Sequence, residues 1–502
     1  MRDELAIPYG YNADTGKFAR YLDNRHLITF GPTRSGKGAT VIVQALLQVP
    51  HSVICIDPKG QNAAITARRR RELGQDVYFL NPFDELSLGT SRFNPLAHLS
   101  IDDPNVVADA SSLAEALILS EGKDPHWSDS ARTLVRVLIL YLIATRGGNA
   151  TLIDVRRLLT QPRGEAKDGS DDAFRALVFQ MLESGYEFIA QPAAQFQAVT
   201  REVESIISTA RTQTAFLDDP VIAHVLGGSD FSMTALKDAP TTVFLILPGR
   251  YIEAYARFFR LLVTSAVDQL TVRPGGHRTL FVLDEFATLQ SLGAISKAFG
   301  FAAGYNVQLW PFLQDLPQLK AIYDDKWESF LANAGLVQFF TPSDMTTAEY
   351  LERRGGKVTE ARHGISKGEI SVQQARQGYS GVTESVQESE TPLLRTELTM
   401  EMHRDKQIVF FAGVHGPQVI GRVPYWQIPR LTGLFDPDPF HEGSFEDMAN
   451  DRSKAADDFL EELSASLRTS APPPRRSVGK RLGQAFRQLL NLRPRSRRDI
   501  RR

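Results

Sequence analysis

Hydrophobic positions in this chain fall into short unbroken runs near both ends, separated by a long stretch in which they recur every three to four residues. The runs His26–Phe30, Ser52–Ile56 and Asp76–Leu80 have the length and β-branched content of buried strands, and helical patterns lie between them at Ala39–Leu47 and Asn62–Leu73. Strand, helix and strand at this spacing predict a parallel sheet with crossover helices. Ahead of the first run, residues 8–22 read as a hairpin turning at Asn12–Gly16.

From residue 100 to 235 the period changes to that of helices, predicted at Val107–Leu119, Asp129–Ala144, Asp171–Glu183 and Ala193–Ala210. Strand-like runs resume at Thr241–Leu247, Thr279–Leu283, Val307–Leu313 and Val337–Phe340, and Gln407–Ala412 with Gln418–Arg422 are predicted to close the sheet. The expected fold is therefore an α/β domain. A mainly parallel central sheet is formed by residues 1–99 and 236–435, interrupted by an all-α insertion at 100–235. Residues 360–390 are polar and lack apolar periodicity, so a mobile loop or extended hairpin is expected there. Residues 436–502 read as a tail, first acidic and then basic.

Composition narrows the function classes. A net charge of −2 over 502 residues argues against wholesale coating of nucleic acid, so any polyanion contact must come from local patches. The single cysteine, Cys55, excludes an intramolecular disulfide and sits in an apolar run as a small buried hydrophobe. No apolar stretch reaches the ~18 residues of a spanning helix, and Met1–Leu5 resembles neither a signal peptide nor an anchor, which predicts a cytosolic protein.

The chemistry concentrates at two strand ends. Gly31-Pro32-Thr33-Arg34-Ser35-Gly36-Lys37-Gly38, with Ala39 opening the helix, has the P-loop spacing and lies between a strand and a helix, which a chance surface turn would not require. Backbone N–H groups of such a loop curl around phosphate, the helix N-terminus adds positive dipole, and Lys37 neutralises the β- and γ-phosphates. The position after Lys37 is Gly38, so the hydroxyl that ligates Mg²⁺ in most P-loops is missing, and Thr40 is the nearest substitute. The run Thr279–Leu283 ends in Asp284-Glu285, which divides the work: Asp284 holds Mg²⁺ and Glu285 polarises the attacking water. Gln314, after Val307–Leu313, is placed to sense the γ-phosphate or orient water; Asp57-Pro58-Lys59-Gly60 either lines the site or is a simple turn.

Together with Leu80-Asn-Pro-Phe83, Phe93-Asn-Pro-Leu96, Trp127-Ser-Asp-Ser-Ala131, Ser208-Thr-Ala210, Phe216-Leu-Asp-Asp219 and Leu283-Asp-Glu-Phe286, these residues resemble the type IV secretion coupling proteins, the TraG-type conjugative DNA-transfer ATPases. The resemblance covers about residues 5–430. It implies that the α/β domain is a RecA-like P-loop NTPase, with ATP and Mg²⁺ as ligands, Asp284-Glu285 as the Walker B pair, and Gln314 as the sensor glutamine. It also implies a homo-hexamer that brings relaxase-bound single-stranded DNA, or effector proteins, to the ATPases and inner-membrane subunits of a secretion channel. The family's N-terminal transmembrane pair is not found here, Gln61 replaces a frequent Glu, and no arginine after Glu285 through Ala303 matches a trans-acting finger. Arg201, Arg211, Arg250, Arg257 and Arg260 are unranked suppliers of one. The basic run 475–502 carries apolar residues at helical spacing and reads either as a helix on anionic lipid or nucleic acid, or as a solvated tail. Competing functions are a soluble FtsK-like double-stranded-DNA translocase and a non-hydrolysing substrate adaptor.

Overall fold

The computed structural model describes residues 6–13, 15–120, 125–161, 173–198, 200–367 and 382–440. The expected runs become strands: β1 Ile7–Asn12, β2 Lys17–Tyr21, β3 His26–Phe30, β4 Ser52–Asp57, β5 Asp76–Leu80, β6 Thr241–Ile246, β7 Thr279–Leu283, β8 Val307–Leu313, β9 Ala334–Phe339, β10 Lys357–Lys367, β11 Val382–Pro392, β12 Lys406–Phe411 and β13 Gln418–Gly421. Nine of them form one sheet in the order β13-β12-β9-β3-β8-β7-β4-β6-β5. The seven from β9 to β5 are mutually parallel, β12 runs against β9, and β13 against β12. The remaining strands pair as two hairpins, β1-β2 and β10-β11.

Continuous apolar runs are what a sheet covered on both faces demands. Along β4, Ile54 and Ile56 join one apolar cluster while Val53 and Cys55 join another, the two-residue alternation of a strand sorting side chains to opposite faces. Cys55 is accordingly a core residue of the second face, beneath the helices Val43–Gln48 and Gln61–Glu72. The first cluster continues into the helical region, joining Leu134, Leu138 and Ile207 to Phe281 and Leu283.

Among the described residues every regular element between β5 and β6 is helical, the longest being Val106–Leu117, His126–Arg146 and Arg201–Gln213. The single helix expected over Ala193–Ala210 is instead two, Glu187–Ala194 and Arg201–Gln213. Thr200 is extended and its Oγ1 accepts the Val203 N–H at 3.2 Å, so a new helix starts there. The polar stretch 360–390 belongs to the extended hairpin β10-β11, with 368–381 outside the described residues. The chain stays tied to the core beyond 435: Asp436 N–H donates to the Ile65 carbonyl at 2.9 Å, and the compact unit runs to Phe440. The acidic and basic tail readings lie outside the described residues. No helix among the described residues is long and apolar enough to cross a membrane.

Candidate nucleotide site

The strand order decides what meets at the crevice. β3 carries the glycine-rich loop, β7 carries Asp284-Glu285, and β8 lies between them. All three are parallel, so their C-terminal ends, Gly31, Gln314 and Asp284, open on one edge of the sheet, where ligands of open α/β sheets bind.

The loop is held at both flanks: Gly31 N–H donates to the Leu313 carbonyl of β8 at 2.9 Å, and Phe340 N–H to the Phe30 carbonyl at 2.8 Å. A Cβ on Gly31 would stand 2.8 Å from Ser35 Oγ and 2.9 Å from the Phe340 ring, so glycine is required by close approach. Arg34 and Gly36 have positive φ (59° and 88°) and wrap the loop, leaving Thr33 and Arg34 exposed and Pro32 and Ser35 half-buried. The following turn, Gly38–Ile42, is π-type, Val43 N–H reaching back to the Gly38 carbonyl, and an ordinary α-helix follows. Lys37 Nζ lies 2.6 Å from the Gly31 carbonyl and 3.4 Å from that of Pro32. Burial draws its ammonium below its ordinary value, while the charges of Asp284, Glu285 and Asp315 pull the other way.

Asp284 Oδ1 accepts the Glu285 N–H at 3.0 Å. Burial, then the adjacent charge of Glu285, push its carboxyl up to about 6, with Lys37 opposing. Glu285 is left-handed (φ 48°, ψ 45°), which turns the chain sharply out of β7 into the short 3₁₀ turn Phe286–Leu289. Gln314 directly follows β8, the strand between lysine and carboxylates, and is half-buried, its N–H donating to Gln318 Oε1 at 2.9 Å. Thr40 is buried and its hydroxyl donates to the Gly36 carbonyl at 2.8 Å, so the substitute for the missing Mg²⁺ hydroxyl is turned back on its own helix.

Asp57 is the last residue of β4. It is 1% exposed, and its Oδ2 accepts the Ala63 N–H at 2.7 Å in the first turn of the helix Gln61–Glu72, whose N-cap is Gly60. Burial pushes its carboxyl up to about 7 despite that donor, with the charge of Asp284 on the adjacent strand a smaller contribution. Gln61 Nε2 donates to Asp438 Oδ2 at 2.7 Å, a bond that a glutamate at 61 would turn into carboxylate repulsion.

Three features were not foreseen. Asp315 adds a third carboxylate to the field around Lys37 and caps the helix Leu316–Tyr323 through Gln318 N–H at 2.8 Å. A cavity of about 690 Å³ continues from the loop, lined by Pro32–Ser35, Thr341–Ser343, Met400–Met402, Arg404 and Arg422. Arg422 is 3% exposed; its Nη1 donates to the Ser35 carbonyl at 2.9 Å and its guanidinium lies 3.6 Å from the Phe340 ring centroid. Such a contact spans nearly the whole sequence and leaves no local pattern. Of the arginines considered as fingers, Arg260 is buried and bound to backbone carbonyls, and Arg211 donates to the Leu159 and Gln161 carbonyls. Arg201 and Arg250 are exposed.

The fold and this crevice define a RecA-like P-loop NTPase class. Comparison with known proteins makes the assignment narrower. The family model for type IV secretory system conjugative DNA transfer matches residues 6–455, and the chain belongs to that family. It is 30% identical over 433 residues to Protein VirD4 of Agrobacterium fabrum, covering 84% of this chain and 62% of that one. It is 27% identical over 454 residues to conjugal transfer protein TraG of Escherichia coli, covering 83% and 70%. The conjugative coupling protein TrwB has the same fold: an unbound form superposes with a TM-score of 0.60 at 17% identity over 80% of this chain and 85% of that one, and a form with ADP and Mg²⁺ at 0.57, with 16% identity and the same coverage.

Proposed function

We propose that this protein is the ATP-hydrolysing coupling protein of a type IV secretion channel, delivering relaxase-bound single-stranded DNA or effector proteins. The observation that carries the reading is the placing of Lys37, Gln314 and Asp284-Glu285 on three adjacent parallel strand ends, β3, β8 and β7. A cation, a polar amide and two carboxylates at one edge supply what phosphoryl transfer needs: a bound polyphosphate, an oriented water and an acceptor for its proton.

Magnesium fits this donor set in a particular way. The ligands offered are carboxylate oxygens, the type Mg²⁺ takes, but no cluster of three or more metal-binding side chains exists among the described residues. Asp284 would therefore hold the ion jointly with water and the nucleotide phosphates, and the bound ion would neutralise phosphate charge. The chain's own residues do the rest. The loop N–H groups and Lys37 bind the phosphates, Glu285 takes the proton of the attacking water, and Gln314 orients that water. The 690 Å³ cavity beside Pro32–Ser35 has room for the base and ribose.

The assembly proposed with this reading is a homo-hexamer acting with channel ATPases and inner-membrane subunits, on the cytoplasmic side of the inner membrane; membership of the conjugative DNA-transfer family supports it. The basic residues 475–502 are proposed as its peripheral contact with that surface.

Glu285→Gln tests the reading. It should bind ATP with unchanged affinity and release no phosphate; normal turnover would remove the assigned role. Stimulation by single-stranded over double-stranded DNA is expected, and the reverse preference would favour a duplex translocase. Absence of Mg²⁺-dependent phosphate release with every DNA and protein additive would favour an adaptor.

A further inference from the structure

The backbone after Glu285 is unusual. Glu285 is left-handed, and five residues later Gln290 again has positive φ (52°, ψ −159°), a combination that residues bearing a side chain rarely adopt. Holding such a conformation costs on the order of 1–3 kcal/mol per residue, so surrounding structure must impose it. Within the segment Thr288 N–H donates to the Glu285 carbonyl and Gln290 N–H to the Ala287 carbonyl, each at 2.9 Å.

Arg260 supplies the constraint from outside. It lies on the helix Ala256–Leu270, is 2% exposed, and its Nη1 donates to the carbonyls of Leu289 at 2.5 Å and Ser291 at 2.9 Å. These two carbonyls flank Gln290, so one nitrogen grips the strained residue from both sides. The Nε of the same guanidinium points at the Ala116 carbonyl, 3.4 Å away, in the last turn of the helix Val106–Leu117. Last-turn carbonyls lack partners within their own helix and favour a cation. Burial draws the guanidinium down to about 10, which leaves it charged at neutral pH; Tyr323, Arg257, Glu115 and Arg132 are the charged or titratable groups around it. A buried arginine whose bonds all go to carbonyls from two separate segments fixes their spacing.

We propose that Arg260 is a positioning residue that sets the backbone carrying Glu285 and couples it to the helix Val106–Leu117, so that turnover at the nucleotide and the placement of the helical region change together. The inference rests on Glu285 as the water-activating carboxylate.

Arg260→Met and Arg260→Lys, with Glu285→Gln in parallel, test it in the full chain. Arg260→Met should keep the affinity for a fluorescent ATP analogue while kcat falls about tenfold or more, and Arg260→Lys, which still reaches one carbonyl, should recover part of it. Hydrogen exchange at the Thr288 and Gln290 amides should accelerate in both. In the unsubstituted protein, exchanging ADP for a non-hydrolysable ATP analogue should alter exchange at residues 113–118, and Arg260→Met should abolish that response. An inactive Glu285→Gln beside an Arg260→Met of unchanged kcat overturns the inference alone; a fully active Glu285→Gln overturns the reading beneath it. If neither Arg260 variant folds, the unsubstituted protein decides. Nucleotide-dependent exchange at 286–291 accompanied by a change at 113–118 supports the coupling, and a change at 286–291 alone overturns it.

Discussion

The ammonium of Lys37 lies 2.6 Å from the carbonyl oxygen of Gly31, the first residue of its own loop. The lysine thus bonds back onto its own loop, replacing a lost hydration shell with a carbonyl. A phosphate arriving in the loop offers a full negative charge in place of that dipole, and charge-assisted bonds of this kind contribute about 1.5–3 kcal/mol. Lys37→Ala should therefore weaken ATP binding by about ten- to a hundredfold in a calorimetric titration and abolish phosphate release. The free protein should melt within a few degrees of the unsubstituted one, because the bond lost at the Gly31 carbonyl is offset by no longer burying a charged amine. ATP affinity within about twofold of normal would show that Lys37 does not reach the phosphates.

Gly38 is empty of steric purpose. A Cβ there meets nothing within 4 Å, and its φ lies outside the left-handed range, so the missing hydroxyl is not forced by packing. Gly38→Ser should restore an oxygen at the position where most P-loops place one, lowering the Mg²⁺ concentration for half-maximal turnover several-fold. Gly38→Ala adds the same bulk without the oxygen and should leave that dependence alone. Both should raise the melting temperature slightly, because glycine in a helix costs about 0.5–1 kcal/mol relative to alanine. Equal Mg²⁺ dependence in serine and alanine variants would place the ion elsewhere.

Much of the crevice was legible in the sequence because its parts are local. Gly31–Gly38 announces itself by spacing, and Asp284-Glu285 by its place after the four apolar residues Leu280–Leu283, since a strand end is written in a few consecutive positions. The helix break before Thr200 was not legible: Ala193–Ala210 keeps helical periodicity, and the hydroxyl cap of Thr200 outweighs it. Nor was the hidden support of the site. Arg260 and Arg422 act through backbone carbonyls, which carry no residue identity, and Arg422 meets Ser35 across almost the entire chain. Nothing in a local pattern distinguishes such arginines from surface ones, which is why Arg260 was equally readable as a finger.

Asp57 gives a pH dependence. Its carboxyl is buried and pushed up to about 7 from an ordinary 3.8, so the folded state prefers the proton more strongly than the unfolded state does. Stability from this group is complete below about 4 and is lost as the pH rises through 7. Asp57→Asn keeps an oxygen to accept the Ala63 N–H and has no charge to bury. It should raise the melting temperature at pH 8, by an amount equivalent to about 1–4 kcal/mol, with the gain shrinking towards zero near pH 4. A gain independent of pH in a series of thermal melts would mean that the carboxyl is ionised at no greater cost folded than unfolded.

Arg422 ties the back of the loop to the antiparallel edge of the sheet. Its Nη1 bonds the Ser35 carbonyl at 2.9 Å, its Nε the Lys406 carbonyl at 3.1 Å, and its other nitrogen the Arg404 carbonyl. Its plane lies 3.6 Å from the Phe340 centroid, and Phe340 in turn is the wall against which Gly31 has no room for a Cβ. Removing the guanidinium loses three part-buried hydrogen bonds, at about 0.5–1.5 kcal/mol each, and releases Phe340 towards the loop. Arg422→Met should therefore melt several degrees lower and bind ATP more weakly, with saturating ATP analogue recovering less of the lost stability than it adds to the unsubstituted protein. Arg422→Lys keeps the charge but not the planar fork, and should fall between the two. Lower melting with unchanged ATP affinity would mean that Arg422 supports the sheet edge alone and that the phosphate loop keeps its shape without it.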